Sequence, residues 1–357
     1  RNPLIGPSPG VPNVFEACVF TFGICQAGGA GKVLAEWVTE GGTEWDMWSC
    51  DPRRFTGWED RDYCVAKGAE VYGHEYAMHF PMARWPAAPD RRLSPVHGRV
   101  KALGGVMAPY NGWERAEWFA RPGDDLSWES TQTWGCKGPW EARIPGFTRL
   151  RIAGPGAAAH VAGLSATRLP GPGKVGLLYF PDHRGRIVTE MTCIVHSAAD
   201  VGLITAAVAQ GHDADWLRRG LPEGVAIEDL TELANCFVVT GPAARDLLAG
   251  LCDGDLSAPW LSVLEGVRFG AAEVALLRVS FAGELGWEVH CGRADAPAVY
   301  EALLAGGAKP FGMRALNSLR IEKGYRAWKG DLSTDYSLLE GGLERFVDWG
   351  KDFPGKA

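Results

Sequence analysis

The rhythm of apolar and polar positions changes twice along the chain. Residues 1–13 are dense in proline and glycine, which predicts a connecting loop. A short apolar stretch at 14–24 leads into Gly28-Gly29-Ala30-Gly31-Lys32, and residues 33–38 continue with helical spacing, so the pattern predicts strand, glycine turn, helix. From about residue 51 to 144, Trp, Tyr, Pro and Arg are frequent and periodicity is poor, as expected of an irregular α+β region. Regularity returns after Pro145. Residues 147–152 alternate as a strand, a helix opens at Gly154-Pro155-Gly156, and 175–180 with 186–196 predict a hairpin turning at Asp182-His183-Arg184-Gly185. A helix is expected over 210–218, a strand over 236–240, and a helix from Gly241-Pro242. The two strand, Gly-Pro, helix units predict an internal repeat. Strands over 274–281 and 287–291, parted by Gly283-Glu284-Leu285-Gly286, and a helix over 313–323 complete the reading.

This pattern gives an α+β chain in three parts: 1–55, 56–144 and 145–357. At 357 residues and 46% hydrophobic positions, length does not limit core formation. A net charge of -7 supplies no basic field for nucleic acid or an anionic membrane, so small-molecule partners are expected. No apolar run approaches the roughly 20 residues needed to span a bilayer. The nine cysteines, Cys136 among them, contain no C-x-x-C pair, which argues against a zinc site and a disulfide scaffold and for a reducing compartment. The histidines 97, 160, 183, 196, 212 and 290 show no metal spacing, and no metal is expected. The start at Arg1, which is not methionine, suggests a piece of a longer protein.

Four places could carry chemistry. Gly28, Gly29 and Gly31 would put unobstructed N–H groups at a helix start, suited to an electronegative ring edge or merely to packing a helix on a sheet. Glu190 lies in a strand apolar on both faces, where a carboxylate needs a structural ion pair or a ligand to offset several kcal/mol of burial cost. In Arg278 to Glu288, a carboxylate could accept two adjacent N–H donors of a planar heterocycle. Glu288 is the first choice and Glu284 the second, with a solvated surface hairpin as the plain alternative. Arg320 sits one turn from Leu316 and Lys323 on an otherwise packed helix, where an ordinary i,i+4 charge pattern is the plain reading.

Several of these segments resemble the dimethylglycine and sarcosine dehydrogenase family. The run Phe22 to Lys32, followed by Glu36-Trp37, Asp46-Met47-Trp48 and Asp51-Pro52-Arg53-Arg54-Phe55, looks like the end of its flavin domain. Gly112 to Phe119 resembles its connecting domain. Gly185 to Thr192, Arg278 to Glu288 and Asn317 to Leu332 resemble its aminomethyltransferase-like, folate-binding domain. The resemblance implies a remnant of an FAD-binding α/β domain, a connecting α+β domain, and a folate domain without its terminal barrel. The dinucleotide fingerprint would precede Arg1, and a stretch is missing between Ile144 and Pro145.

Carried over residue by residue, the resemblance places Gly28, Gly29 and Gly31 beside a flavin, and Phe281, Glu284, Glu288 and Arg320 around tetrahydrofolate. Glu190, where most such domains carry Asp, is the catalytic or amine-positioning acid. Phe281 stands where relatives have Tyr, keeping ring stacking without the hydroxyl. The implied substrate is an N-methyl amine, with electron-transfer flavoprotein as an implied partner. The expected location is the cytoplasm in a bacterium or the mitochondrial matrix in a eukaryote. A flavin-independent folate-dependent aminomethyltransferase and a non-catalytic folate-binding module are the rival readings.

Overall fold

Two sheets dominate the chain, and the period-two alternation of their strands decides what each face meets. The structure, a computed structural model, describes residues 2–77, 85–123 and 147–356, and the backbone of 141–143. Cys136 and the junction at Ile144 and Pro145 lie outside the described residues. The elements begin with β1 (Leu4–Pro7), β2 (Phe15–Cys18), α1 (Gly23–Glu40), α2 (Arg61–Gly73), α3 (His97–Ala102), β3 (Gly105–Tyr110) and β4 (Trp113–Phe119). Then follow β5 (Glu141–Arg143), β6 (Phe147–Ala153), α4 (Ala157–Leu164), β7 (Val175–Pro181), β8 (Ile187–Ser197), β9 (Asp200–Ala206) and α5 (Gln210–Leu217). The rest are β10 (Ala226–Asp229), β11 (Ala234–Thr240), α6 (Ala244–Ala249), β12 (Val263–Phe269), β13 (Ala272–Leu277), β14 (Gly286–Gly292), α7 (Ala296–Ala305), β15 (Pro310–Phe311) and α8 (Met313–Glu322).

The first sheet runs β10-β6-β9-β8-β7 and the second β12-β13-β14-β11-β5-β15. Leu150, Ile152, Leu178, Met191 and Cys193 turn one face of the first sheet onto α4 and α5. Phe237, Val239, Trp287 and Val289 turn one face of the second onto α6 and α7. The opposite faces meet through Val175, Ile194, Ile204, Val263 and Leu277. The order is therefore helices, sheet, sheet, helices, with α8 closing one end of the space between sheets through Ala315, Leu316, Val238 and Phe311.

The predicted hairpin forms as β7 and β8, with Tyr179 opposite Glu190. Both predicted strand, Gly-Pro, helix units form, as β6 with α4 and β11 with α6. The N-terminal prediction needs correcting in two places. Residues 4–7 are not loop but pair with β2 as a hairpin under α1. The glycine run is not a turn, because α1 starts at Gly23 and carries Gly28, Gly29 and Gly31 in its interior. Glycine weakens an isolated helix by about 1 kcal/mol per residue, and packing of Ala30 and Val33 on Ile5 offsets that cost here.

The irregular region is not independent of the second sheet. Val96 and Val100 of the α3 segment are buried in the same core as Trp287 and Leu276, with Met107, Ala116 and Phe119 packed against it. Gly312 shows how close this approach is: a Cβ there would lie 2.1 Å from the Glu117 carbonyl oxygen.

Candidate functional site

Glu190 projects from the face of the first sheet that looks toward the second. Thr192 and Ile194 share that face with it, and Ile194 packs against the second sheet. Its carboxyl is hydrogen bonded to the Tyr179 hydroxyl and to the backbone N–H of Trp328. Burial raises its pKa from 4.5 to about 7, against the lowering effect of those two bonds, and Asp331 adds a further upward push. Tyr179 is itself pushed well up, by burial and then by Glu190. A carboxyl titrating near neutrality, half-buried beside a phenol, can hold or release a proton at working pH.

Arg320 stands at the end of α8, 7% exposed. Its Nε and Nη2 donate to Asn317 Oδ1 at 2.9 and 2.7 Å, and Nη1 donates to the Tyr325 carbonyl at 2.9 Å and to Asp331. Asp331 also accepts the Ala327 N–H at 2.8 Å. Arg320 therefore organises the loop that delivers Trp328 and Asp331 to Glu190. Trp328 is fixed by its indole N–H, which donates to the Val188 carbonyl at 3.1 Å, and it stacks edge-on against Trp48 at 5.3 Å.

Glu288 lies on the corresponding inner face of the second sheet, opposite Val238 on one side and Leu277 on the other. Its Oε2 is 2.9 Å from His290 Nε2, and His290 Nδ1 is 2.9 Å from Arg149 of the first sheet. Glu284 is on the exposed turn before β14 and pairs at 3.5 Å with Lys323, a solvated contact worth little. Gly283 has φ +75° and a Cβ there would strike Lys323, so glycine is needed to bring the turn against α8. Phe281 is 37% exposed on the same turn.

The structure thus links Glu190 to Arg320 through the 325–331 loop. Glu288 sits across the space between sheets in a separate network. Among the described residues, no hydrogen bond or ion pair joins Glu288 to Glu190 or Arg320. A cavity of about 1030 Å³ lies elsewhere, among Trp58, Tyr63, Trp85, Asp90 and Glu114.

Gly28, Gly29 and Gly31 lie on an open strip of α1 with nothing within 4 Å of where a Cβ would be. Inside a helix their N–H groups bond the preceding turn, so they offer a flavin a bare surface and no free donors. The described residues do not fit a phosphate-gripping turn.

Sequence reasoning missed Tyr179, Arg149, His290 and Asp331, whose contacts come from strand register, sheet packing and a loop rather than from a local pattern. It also missed the buried cluster behind β8. Asp213 accepts from Thr189 and Thr205 at 3.0 and 2.6 Å and lies 2.8 Å from His212. Burial raises the Asp213 pKa from 3.8 to about 7, and burial with Arg53, Lys329 and Arg219 holds His212 well below 6.5. The adjacency of His212 and Asp213 was the only available signal.

The GCVT N-terminal domain family matches residues 96–351, most of the chain. The chain belongs to this family. The FAD dependent oxidoreductase central domain matches 40–94 alongside the GCVT domain. Mouse mitochondrial dimethylglycine dehydrogenase is 32% identical over 99% of this chain and 44% of its own length. Mouse mitochondrial sarcosine dehydrogenase is 29% identical over 96% of this chain and 44% of its length. The chain thus spans less than half the length of these relatives. The crystal structure of glycine cleavage system aminomethyltransferase T from Bartonella henselae matches with a TM-score of 0.61 and 19% identity, over 72% of this chain and 70% of that one. That likeness shows the GCVT fold, and the expected resemblance to dimethylglycine and sarcosine dehydrogenases is borne out. Among the described residues, no helix is long and apolar enough to cross a membrane.

Proposed function

We propose that the chain is the folate-handling part of a flavin-dependent dehydrogenase that oxidatively demethylates an N-methyl amino acid and passes the one-carbon unit to tetrahydrofolate. The relatives named for dimethylglycine and sarcosine support the substrate class. The observation that carries the reading is that Glu190 and Glu288 stand on the facing sides of the two sheets, which meet through Ile194 and Leu277.

In this reading Glu190 positions the folate amine and holds or releases its proton, with Tyr179 and the Trp328 N–H fixing the carboxyl plane. Glu288 accepts the adjacent N–H donors of the pterin edge, Phe281 lies against the guest, and Arg320 holds the 325–331 loop. A flavin, bound by residues beyond those described, would supply the oxidising step. Electron-transfer flavoprotein is the proposed acceptor in the whole enzyme.

The flavin-independent aminomethyltransferase reading has one observation in its favour, the absence of free donors in the glycine run. Titrating tetrahydrofolate and FAD separately into the chain tests both. Folate binding that Glu190→Ala and Glu288→Gln each weaken supports the proposed site. Parent-like folate affinity in both variants overturns it.

A further inference from the structure

Cys236, Glu288 and His290 bring three potential ligand atoms within 4.8 Å of one another, which by spacing alone suits a metal ion. The hydrogen bonds argue against that. A guanidinium has donors and no acceptor, so the 2.9 Å contact from Arg149 Nη2 requires His290 Nδ1 to accept. In a neutral imidazole the proton then sits on Nε2, and the 2.9 Å contact to Glu288 Oε2 is a donated bond. Burial keeps the ring neutral by lowering its pKa, with Arg149 working in the same direction and Glu288 opposing. The nitrogen that would face a metal is already a donor. Nor is Cys236 a thiolate, because burial and then Glu288 push its thiol well above 9.

We propose that Arg149 and His290 form a positioning pair that fixes the Glu288 carboxylate for a bound reduced folate, an inference that rests on the folate reading above. Arg149 comes from β6 and His290 from β14, so the two sheets together set the imidazole tautomer. Donation to Oε2 stops the carboxylate turning, yet leaves all of Oε1 and a lone pair of Oε2 for the guest. A planar amino-pyrimidinone edge with two adjacent N–H groups meets that arrangement without reorganising it. A guest presenting acceptors would meet lone pairs and be rejected. Glu288 touches the guest, and His290 and Arg149 act through Glu288.

The test is calorimetric titration of tetrahydrofolate, and separately of zinc, into the 357-residue chain and its variants. Glu288→Gln should weaken folate binding about tenfold or more, the loss of a charged hydrogen bond. His290→Leu should weaken it about tenfold, while His290→Gln, which keeps an N–H donor, stays within about threefold of the parent. If His290→Leu does not fold, Arg149→Met replaces it, because freeing Nδ1 lets the ring change tautomer and should weaken folate about threefold to tenfold. Parent-like binding by His290→Leu or Arg149→Met, with loss in Glu288→Gln, overturns the positioning pair and leaves the folate reading standing. Parent-like binding by Glu288→Gln overturns the folate role of Glu288 itself. Loss in His290→Gln equal to that in His290→Leu overturns the donor role, as does stoichiometric zinc binding that His290→Leu abolishes.

Discussion

Arg53 Nη1 lies 2.9 Å from Asp215 Oδ2, an ion pair between residues 162 positions apart. The same guanidinium grips Asp51 through Nε and Nη2, and Arg53 is 1% exposed. Removing one partner of such a pair leaves an uncompensated buried charge, at a cost of about 3–5 kcal/mol. Arg53→Met strands the buried Asp51 carboxylate, while Asp215 is partly open to water, and is therefore expected to destabilise the chain by about that much and to release the segment ahead of residue 54 to protease. Denaturant unfolding with limited proteolysis checks both; an unchanged digestion pattern would show that the N-terminal segment is held by other contacts.

Glu190 makes stability depend on pH in a defined direction. Its folded pKa of about 7 exceeds the ordinary 4.5, so between these values the folded chain keeps a proton that the unfolded chain has shed. Stability falls as pH rises through that window. Asp213, raised from 3.8 to about 7, slopes the same way. Glu190→Gln removes only the first contribution. Its stability relative to the parent should be near level at pH 4.5 and higher by up to about 3 kcal/mol at pH 8. Parallel stability curves for the two proteins across that range would refute the raised pKa.

Glu288→Gln should weaken tetrahydrofolate binding by about 1–3 kcal/mol. In a complete enzyme, Glu190→Ala should lower folate-coupled turnover and leave dye-linked amine oxidation unchanged. Equal losses in both assays would make Glu190 a structural residue.

Gly312→Ala tests the joint between the β3–β4 hairpin and α8. A Cβ at this position meets the Glu117 backbone, which cannot rotate away as a side chain would. The expected loss is about 1–3 kcal/mol or more, read as a lower unfolding midpoint. Gly28→Ala should do the opposite and stabilise the chain by up to about 1 kcal/mol, because its helical site is open.

Much of the second half of the chain was legible because alternation and Gly-Pro turns are local signals. The β7–β8 hairpin, the strand of Glu288 and the helix of Arg320 could be placed from residue spacing. The glycine run misled because helix propensity favours a turn, whereas packing of Val33 and Ala30 on Ile5 decides the matter. Glu190 stood out as a charged residue among apolar ones. Its partners did not, since Tyr179 reaches it only through strand register and Trp328 only through a loop 138 positions later. His290 carried no metal spacing, and its hydrogen bond to Arg149 crosses between sheets, a relationship invisible in one dimension.

Strand β5 pairs with β11 on one side and with β15 on the other, while Val96 and Val100 sit in the core beneath the second sheet. A shortened gene begun at residue 145 would therefore leave β11 with a bare edge and β15 with no neighbour, inviting strand exchange between copies. Any rearrangement that trades the GCVT domain for another must carry the segment from about residue 96 with it, so the compositional seam near 145 is a poor place to cut.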